Sequence, residues 1–229
     1  QADALQVDNS AMLYPNPDRT VHLGYQLEDS ALGPLRLFEI PSALPGVERV
    51  TEMAEADLVI AHEAAPTPAW SLVIPKNPPD STGAEAFASG FLPEKRHPLL
   101  QGVTLQGVLW TRAKTFDGTG LPLLSVGDLP LLSEVAVSGA AIYRMNLLPQ
   151  RSTLAQSPDW PIMVSNLVEM RRAALEGPQD VNLVAGQAFE YIHHGRAEFE
   201  LVGNGKTQTF RVEGRLRIED LPPALNYVL

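Results

Sequence analysis

The chain has 229 residues, of which 45% are apolar and 19% charged, and its formal net charge is −10. This length buries a substantial core and favours one domain with a small second one, while the acidic balance, with no dense basic patch, argues against nucleic acid as a partner. The absence of cysteine excludes disulfides, thiolate nucleophiles and cysteine-based zinc sites, and no apolar run approaches the ~20 residues that cross a bilayer.

The first half of the chain is predicted to be rich in short strands. Their apolar runs lack alternation, which is typical of strands buried on both faces of a parallel sheet. The predicted strands are 4–7, 20–27, 47–51, 57–62 and 71–74. Short helices are predicted over 30–38 and 81–87, each with a capping residue at its start.

A second group of strands leads to the clearest helix. The predicted strands are 107–114, 121–126, 131–137 and 140–147, separated by turns that contain glycine. The helix is predicted over 158–175, with Ser157 as its N-cap, Pro158 at its first position and Asp159 complementing its dipole. Its apolar face should hold the residues at 3- and 4-residue spacing, which are Trp160, Met163, Val164, Leu167, Met170 and Ala174.

The pattern changes at Gly177-Pro178, where we place a domain boundary. Beyond it apolar and polar residues alternate with a period of two, and Asn204-Gly205 between two such runs predicts a tight hairpin. The expected organisation is an α/β domain over 1–177 and a β-sandwich-like tail over 178–229. The closing residues 226–229 resemble the middle of a strand, so we expect further residues beyond them and leave open whether the tail is complete.

Two motifs that suggest ligands have commoner interpretations. The stretch Gly203-Asn204-Gly205-Lys206-Thr207 ends like a phosphate-binding loop, but Glu200 stands where the pattern needs a glycine, and a strand follows instead of a helix. His193-His194 suggests a metal pair, yet neighbouring residues on a strand point to opposite faces. The sequence therefore predicts no metal site and no cofactor.

The best candidate site follows a predicted strand. His62-Glu63 lies at the carboxyl end of the run 57–61, where open α/β sheets place their ligand crevices. A histidine and a carboxylate at such a point suit acid–base work or a polar ligand, although ordinary loop chemistry is commoner and no nucleophile motif accompanies them. Asp80-Ser81 suggests an anion cradle at a helix start, where helix capping is the commoner use.

Several short segments, in order along the chain, resemble one family of bacterial membrane proteins. They are DALQVDNSA (3–11), HPLLQGV (97–103), SPDWP (157–161) with Asn166-Leu167, VAGQ (184–187) and LPPALNY (221–227). The family is that of the Bat-type, aerotolerance-regulator-like proteins, which carry membrane helices and often a von Willebrand A domain.

The resemblance implies a class I glutamine amidotransferase-like, flavodoxin-type fold for residues 1–175, followed by a β tail. It also implies a position on the extracytoplasmic, periplasmic side of a bacterial inner membrane, attached through an anchor that is not part of this sequence. Amidotransferase chemistry needs a cysteine nucleophile, and this chain has none, so we expect a non-enzymatic domain.

Three hypotheses follow, and they differ in what the chain binds. The first is a non-catalytic scaffold or protein-interaction module, whose partners are other envelope proteins and the remaining domains of its parent chain. The second is a small-ligand or glycan-binding domain that uses the crevice near His62, Glu63, Asp80 and Ser81. The third, and the least favoured, is a hydrolase with an unrecognised site.

Overall fold

A computed structural model describes residues 19–37, 39, 43–66, 68–76, 83–113, 119–137, 139–180, 187–203 and 206–219. The chain divides into two compact units. One unit, here called the body, spans Thr20–Ala173; the described part of the other, here called the tail, comprises Arg19 and the residues from Ala174 onward. The units divide a few residues before the predicted boundary at 177, and Arg19 groups with the tail. The predicted strand over 4–7 lies outside the described residues.

Within the described residues, one eight-stranded sheet runs through the body. Its strands are β1 (Val21–Gln26), β2 (Val47–Arg49), β3 (Leu58–Ala61), β4 (Trp70–Val73), β6 (Phe91–Pro93), β8 (Leu121–Val126), β9 (Leu129–Val137) and β10 (Ala140–Met145). Their order across the sheet is β2-β1-β3-β4-β10-β9-β8-β6. From β2 to β10 every neighbouring pair is parallel, and from β10 to β6 every pair is antiparallel.

The body is thus mixed α/β, as predicted, but it has fewer helices than expected. Two of its α-helices are α1 (Asp29–Leu35) and α2 (Asp159–Ala173). The connection from β2 to β3 contains only the 3₁₀ turn Met53–Glu55, and the one from β3 to β4 is a short loop. Connections this short leave little room for a crossover helix.

The parallel half of the sheet holds the most buried strand. All four residues of β3 are buried, as the unbroken apolar run predicted. On β1, Gly24 allows a close approach, because a Cβ there would lie 2.8 Å from the sulfur of Met53. The glycine therefore lets the 3₁₀ turn pack directly against β1.

Helix α2 begins as the sequence predicts. The amide of Asp159 donates to Ser157 Oγ at 3.2 Å, and Trp160, Met163, Val164 and Leu167 are buried. The predicted apolar face is wrong at its C-terminal end. Met170 is only half-buried and Ala174 lies beyond the helix, whereas Arg171 is buried in their place.

The region between β4 and β8 corrects one prediction. The helix expected over 81–87 is not formed at its C-terminal end, because Glu85–Phe87 is a strand, β5, which pairs antiparallel with β7 (Trp110–Arg112). Residues 81 and 82 lie outside the described residues. The edge strand β6 was not predicted. Strands of three residues carry too little periodicity to be recognised.

The tail contains a three-stranded antiparallel sheet in its described part. Its strands are β11 (Gly177–Pro178), β12 (Phe189–Gly203) and β13 (Lys206–Ile218), in the order β11-β12-β13. Gly203 pairs with Lys206, which confirms the predicted hairpin, although residues 204–205 lie outside the described part.

The hairpin of β12 and β13 bends sharply at its middle. Between the pairs Ile192–Arg215 and Arg196–Glu213, residues 193–195 of β12 stand opposite Gly214 alone. The rings of Tyr191 and Phe199 are 5.0 Å apart, although eight extended residues span about 26 Å. The ribbon therefore folds back on itself at this irregularity, which we call the β-corner.

The β-corner gives the tail its own core. The apolar residues of the two ribbon halves meet and form one cluster of buried side chains, which are Phe189, Leu201, Leu216 and Ile218. Gly195 and Gly214 have φ angles of +113° and +90°, and a Cβ would meet no atom within 4 Å at either. Glycine is therefore needed at the corner for its backbone conformation and not for space.

Candidate functional site

The predicted candidate His62 lies at the carboxyl edge of the parallel strands. It follows β3 directly, and its amide donates to the carbonyl of Gln26, the last residue of β1. Because β2 lies on the far side of β1, the chain direction across the sheet reverses between β1 and β3. The structure thus places His62 at the topological switch point, where open α/β sheets bind their ligands.

Both ring nitrogens of His62 are engaged by the main chain. Nδ1 lies 2.8 Å from the carbonyl oxygen of Ile74, and Nε2 accepts the amide hydrogen of Glu28 at 3.3 Å. A carbonyl oxygen only accepts, so Nδ1 carries the proton and Nε2 is the acceptor. The ring therefore ties together the segments that follow β1, β3 and β4, and neither nitrogen is left for proton transfer.

The structure describes one of the other predicted site residues. Glu63 is exposed beside His62, and Asp80 and Ser81 lie outside the described residues. At the same edge, Lys76 Nζ and Glu28 Oε1 form an ion pair at 3.0 Å, with each side chain more than half exposed. An exposed pair of this kind contributes at most about 1 kcal/mol.

A buried ion pair lies at the opposite, amino edge of the parallel strands. Arg171 Nη2 is 3.3 Å from Asp57 Oδ1, and the other carboxylate oxygen accepts the amide of His22 at 2.9 Å. The guanidinium of Arg171 lies over the ring of Trp70, 5.8 Å from its centroid. Burial lowers the pKa of Arg171, and the Asp57 carboxylate counteracts this effect.

The buried guanidinium is incompletely bonded. Among the described residues, Nε and Nη1 of Arg171 have no hydrogen-bond partner, and both atoms are inaccessible to water. These two atoms are enclosed, and the ion pair joins helix α2 to the amino edge of the strands.

A second polar network links β9, β10 and the segment after β6. Tyr143 donates its hydroxyl hydrogen to Glu134 Oε1 at 3.0 Å, and His97 Nε2 lies 3.3 Å from Glu134 Oε2. The amide of Leu99 donates to His97 Nδ1, so the Nε2 hydrogen points to the carboxylate. Burial, and then Glu134, raise the pKa of Tyr143 well above its ordinary value.

The residue types of this network are those that carry out acid–base chemistry, but their contacts here hold neighbouring segments together. Each ring nitrogen of His97 is engaged, and the side chain of Tyr143, on β10, is fully buried. His97 caps the 3₁₀ turn Pro98–Leu100 through its bond to Leu99. Sequence reasoning missed this network because His97, Glu134 and Tyr143 come from separate elements with no motif spacing.

The tail carries its polar groups in a ladder of cross-strand ion pairs. Arg196 pairs with Glu213 at 3.0 Å and Arg211 with Glu198 at 2.9 Å. These residues, with Ala197 and Val212, line a shallow groove on one half of the ribbon. We call this half, residues 196–203 of β12 and 206–213 of β13, the outer half. Their side chains are largely exposed, so the pairs help to fix the register of the two strands but contribute little to stability.

The two histidines of the tail lie at the β-corner. His193 Nδ1 is 3.2 Å from Glu176 Oε1, and the same oxygen accepts the amide of His194, whose side chain is exposed. His193 also packs edge-on against Phe199. Among the described residues of the whole chain, no group of three histidine or acidic side chains is placed to hold a metal ion.

No protein-family model matches this chain, and no curated protein sequence matches it. None of the helices in the described part is both long and apolar enough to span a bilayer.

Proposed function

We propose that this chain is a non-catalytic protein-interaction module. The observation that carries the proposal is the engagement of both ring nitrogens of His62 by the main chain. At the switch point an α/β protein presents its reactive groups, and here the candidate base His62 serves to join three strand ends. Because His62 serves a structural role, we infer that the domain acts by binding other proteins through its surface and not by catalysis.

We further propose that the module is extracytoplasmic and belongs to a membrane-anchored bacterial envelope protein of the Bat type. Five short segments of the sequence resemble that family, and the partners would be other envelope proteins and the rest of the parent chain. The order β2-β1-β3-β4-β10 of the parallel strands supports a flavodoxin-type, amidotransferase-like ancestry, because that fold uses the same order. The scarcity of helices departs from it.

A screen for ligands and turnover tests the proposal directly. The protein is heated with sugars, nucleotides and divalent metals, and separately assayed with generic esters and amides. We expect an unchanged melting temperature and no turnover. A shift of several degrees, or hydrolysis, that Glu63→Gln or His62→Ala removes would contradict it. Glu48→Gln, at an exposed position on β2, is the matched control.

The second candidate function is binding of a small ligand or glycan at the switch point. It is favoured by the position of exposed Glu63 beside the β1–β3 reversal, where such sites occur. The same screen separates the two functions, because ligand binding predicts a shift for one compound class that Glu63→Gln abolishes and Glu48→Gln preserves.

A further inference from the structure

In the described part of the tail, strand β13 lies at the edge of its sheet. It pairs with β12 on one side only, through twelve of its 13 residues. About half of the amide and carbonyl groups of such a strand point away from its neighbour and offer a ladder to an incoming chain. Thr207, Gln208, Thr209, Arg211 and Glu213, on the outer half of this strand, are exposed.

Few of the features that protect an edge are present here. The strand contains no proline, and the irregular pairing at the β-corner places its extra residues on β12. The feature that is present is charge: Arg211 lies beside Glu198, Arg215 beside Glu190, and Arg217 beside both Glu190 and Glu219. Basic side chains on an edge strand disfavour a basic neighbour but not an acidic one.

The charge of the edge selects its partner. In a chain of net charge −10, β13 carries Lys206, Arg211, Arg215 and Arg217 against one acidic residue, Glu213. Arg215 and Arg217 both contact Glu190 on β12, at 3.5 and 3.2 Å, and Arg217 also contacts Glu219 at 3.1 Å. Because opposite charges across neighbouring strands stabilise pairing, a strand beside β13 gains by supplying carboxylates.

We propose that the edge of β13 binds an extended acidic segment of a partner protein by adding it to the sheet as a further strand. The main chain of the segment would supply the ladder, and acidic side chains opposite Arg211 and Arg215 would set its specificity. This inference rests on the proposed interaction function and names the surface and the class of partner.

The test uses labelled peptides of about nine residues, a typical strand length, and the full chain. The probe alternates Thr and Glu, a second peptide alternates Thr and Lys, and a third alternates Pro and Glu. The third keeps the charge but has half the amide hydrogens. We expect the Thr/Glu peptide to bind about tenfold more tightly than either of the others, by fluorescence anisotropy at low salt.

Variants locate the binding. Arg211→Gln with Arg215→Gln should weaken the Thr/Glu peptide several-fold, whereas Arg196→Gln on β12, which is as exposed as Arg211, should change it little. Amide exchange should slow in β13. Equal binding of the Pro/Glu peptide would reduce the effect to charge alone, and equal binding of the Thr/Lys peptide would refute the charge argument; either overturns the proposal.

Two further outcomes would have different consequences for the proposal. A dimer that forms with concentration, and that the Thr/Glu peptide does not dissociate, would overturn the proposal in favour of a second copy at this edge. A ligand found at His62 would contradict the proposed function while leaving peptide binding at β13 intact, so the two failures can be told apart.

Discussion

The carboxylate of Asp159 provides the sharpest test of how the body is held together. It accepts the backbone amides of Thr104 and Leu105 at 2.8 and 3.0 Å, and its side chain is buried at the start of α2. Leu105 has a φ of 57°, a left-handed conformation that costs a leucine about 1–2 kcal/mol. The two hydrogen bonds therefore hold a strained loop against the helix start.

The expected cost of Asp159→Ala follows from these contacts. The buried amide of Leu105 and the partly buried amide of Thr104 lose their acceptor at about 1–3 kcal/mol each, and relaxation of Leu105 returns about 1–2 kcal/mol. The net loss should be about 3 kcal/mol in the free energy of unfolding, or roughly 6–12 °C in melting temperature for a unit of this size. Asp159→Asn keeps one carbonyl acceptor and should lose about half as much.

Urea unfolding followed by tryptophan fluorescence measures this loss, because all three tryptophans lie in the body. Asp128→Ala, in the exposed turn between β8 and β9, is the matched control and should change stability by less than about 0.5 kcal/mol. A loss below about 1 kcal/mol for Asp159→Ala, or an equal loss for both variants, would refute the reasoning.

Three further changes test other parts of the structure. His62→Ala should cost about 1–2 kcal/mol in urea unfolding because two main-chain groups lose their partner, whereas Glu63→Ala should be neutral. Tyr143 has a raised pKa, so its ionisation favours the unfolded chain above about pH 10; stability should fall there by about 1.4 kcal/mol per pH unit, and Tyr143→Phe should remove that share. Gly214→Ala should speed amide exchange in β12 and β13 because alanine is strained at a φ of +90°, while Gly33→Ala in α1 should be neutral or stabilising; equal effects would contradict the β-corner.

The parts of the body that the sequence predicts are those encoded by local pattern. Strands β1, β3, β4, β8, β9 and β10 follow apolar runs bounded by turns, and α2 follows its cap and its apolar spacing. The three-residue strands β5 and β6 have partners far along the chain and no period of their own. Pairing of that kind is set by tertiary structure, so it could not be predicted locally.

The candidate site shows the same division. That His62 follows a buried strand was evident from the apolar run before it, and the structure places it at a strand end. The contacts of its ring nitrogens with Glu28 and Ile74 depend on how three strands align. The spacing of residues in the sequence does not reveal that alignment. Arg171 is a stronger case, since its partner Asp57 is 114 positions away and a basic residue at a helix end ordinarily faces solvent.

The tail explains how a two-stranded ribbon acquires a core. A lone hairpin exposes its apolar face and is at best marginally stable. Here the apolar residues are arranged symmetrically about Gly195 and Gly214, so that folding at the β-corner brings Tyr191 onto Phe199 and encloses Leu216 and Ile218 in the same cluster. The alternation alone predicts a straight ribbon; only the two facing glycines indicate the bend.

This way of building a core has a consequence for the edge of the sheet. A sandwich made from several hairpins covers its inner strands with neighbours, whereas a hairpin folded on itself buries its apolar face without covering its edge. Burying the apolar face of the ribbon and covering its backbone edge are thus separate matters. In the described tail the apolar side chains are buried against one another, while β13 remains at the edge of its sheet. Destabilising the β-corner should therefore weaken peptide binding at β13, because the ladder exists only while the ribbon is ordered.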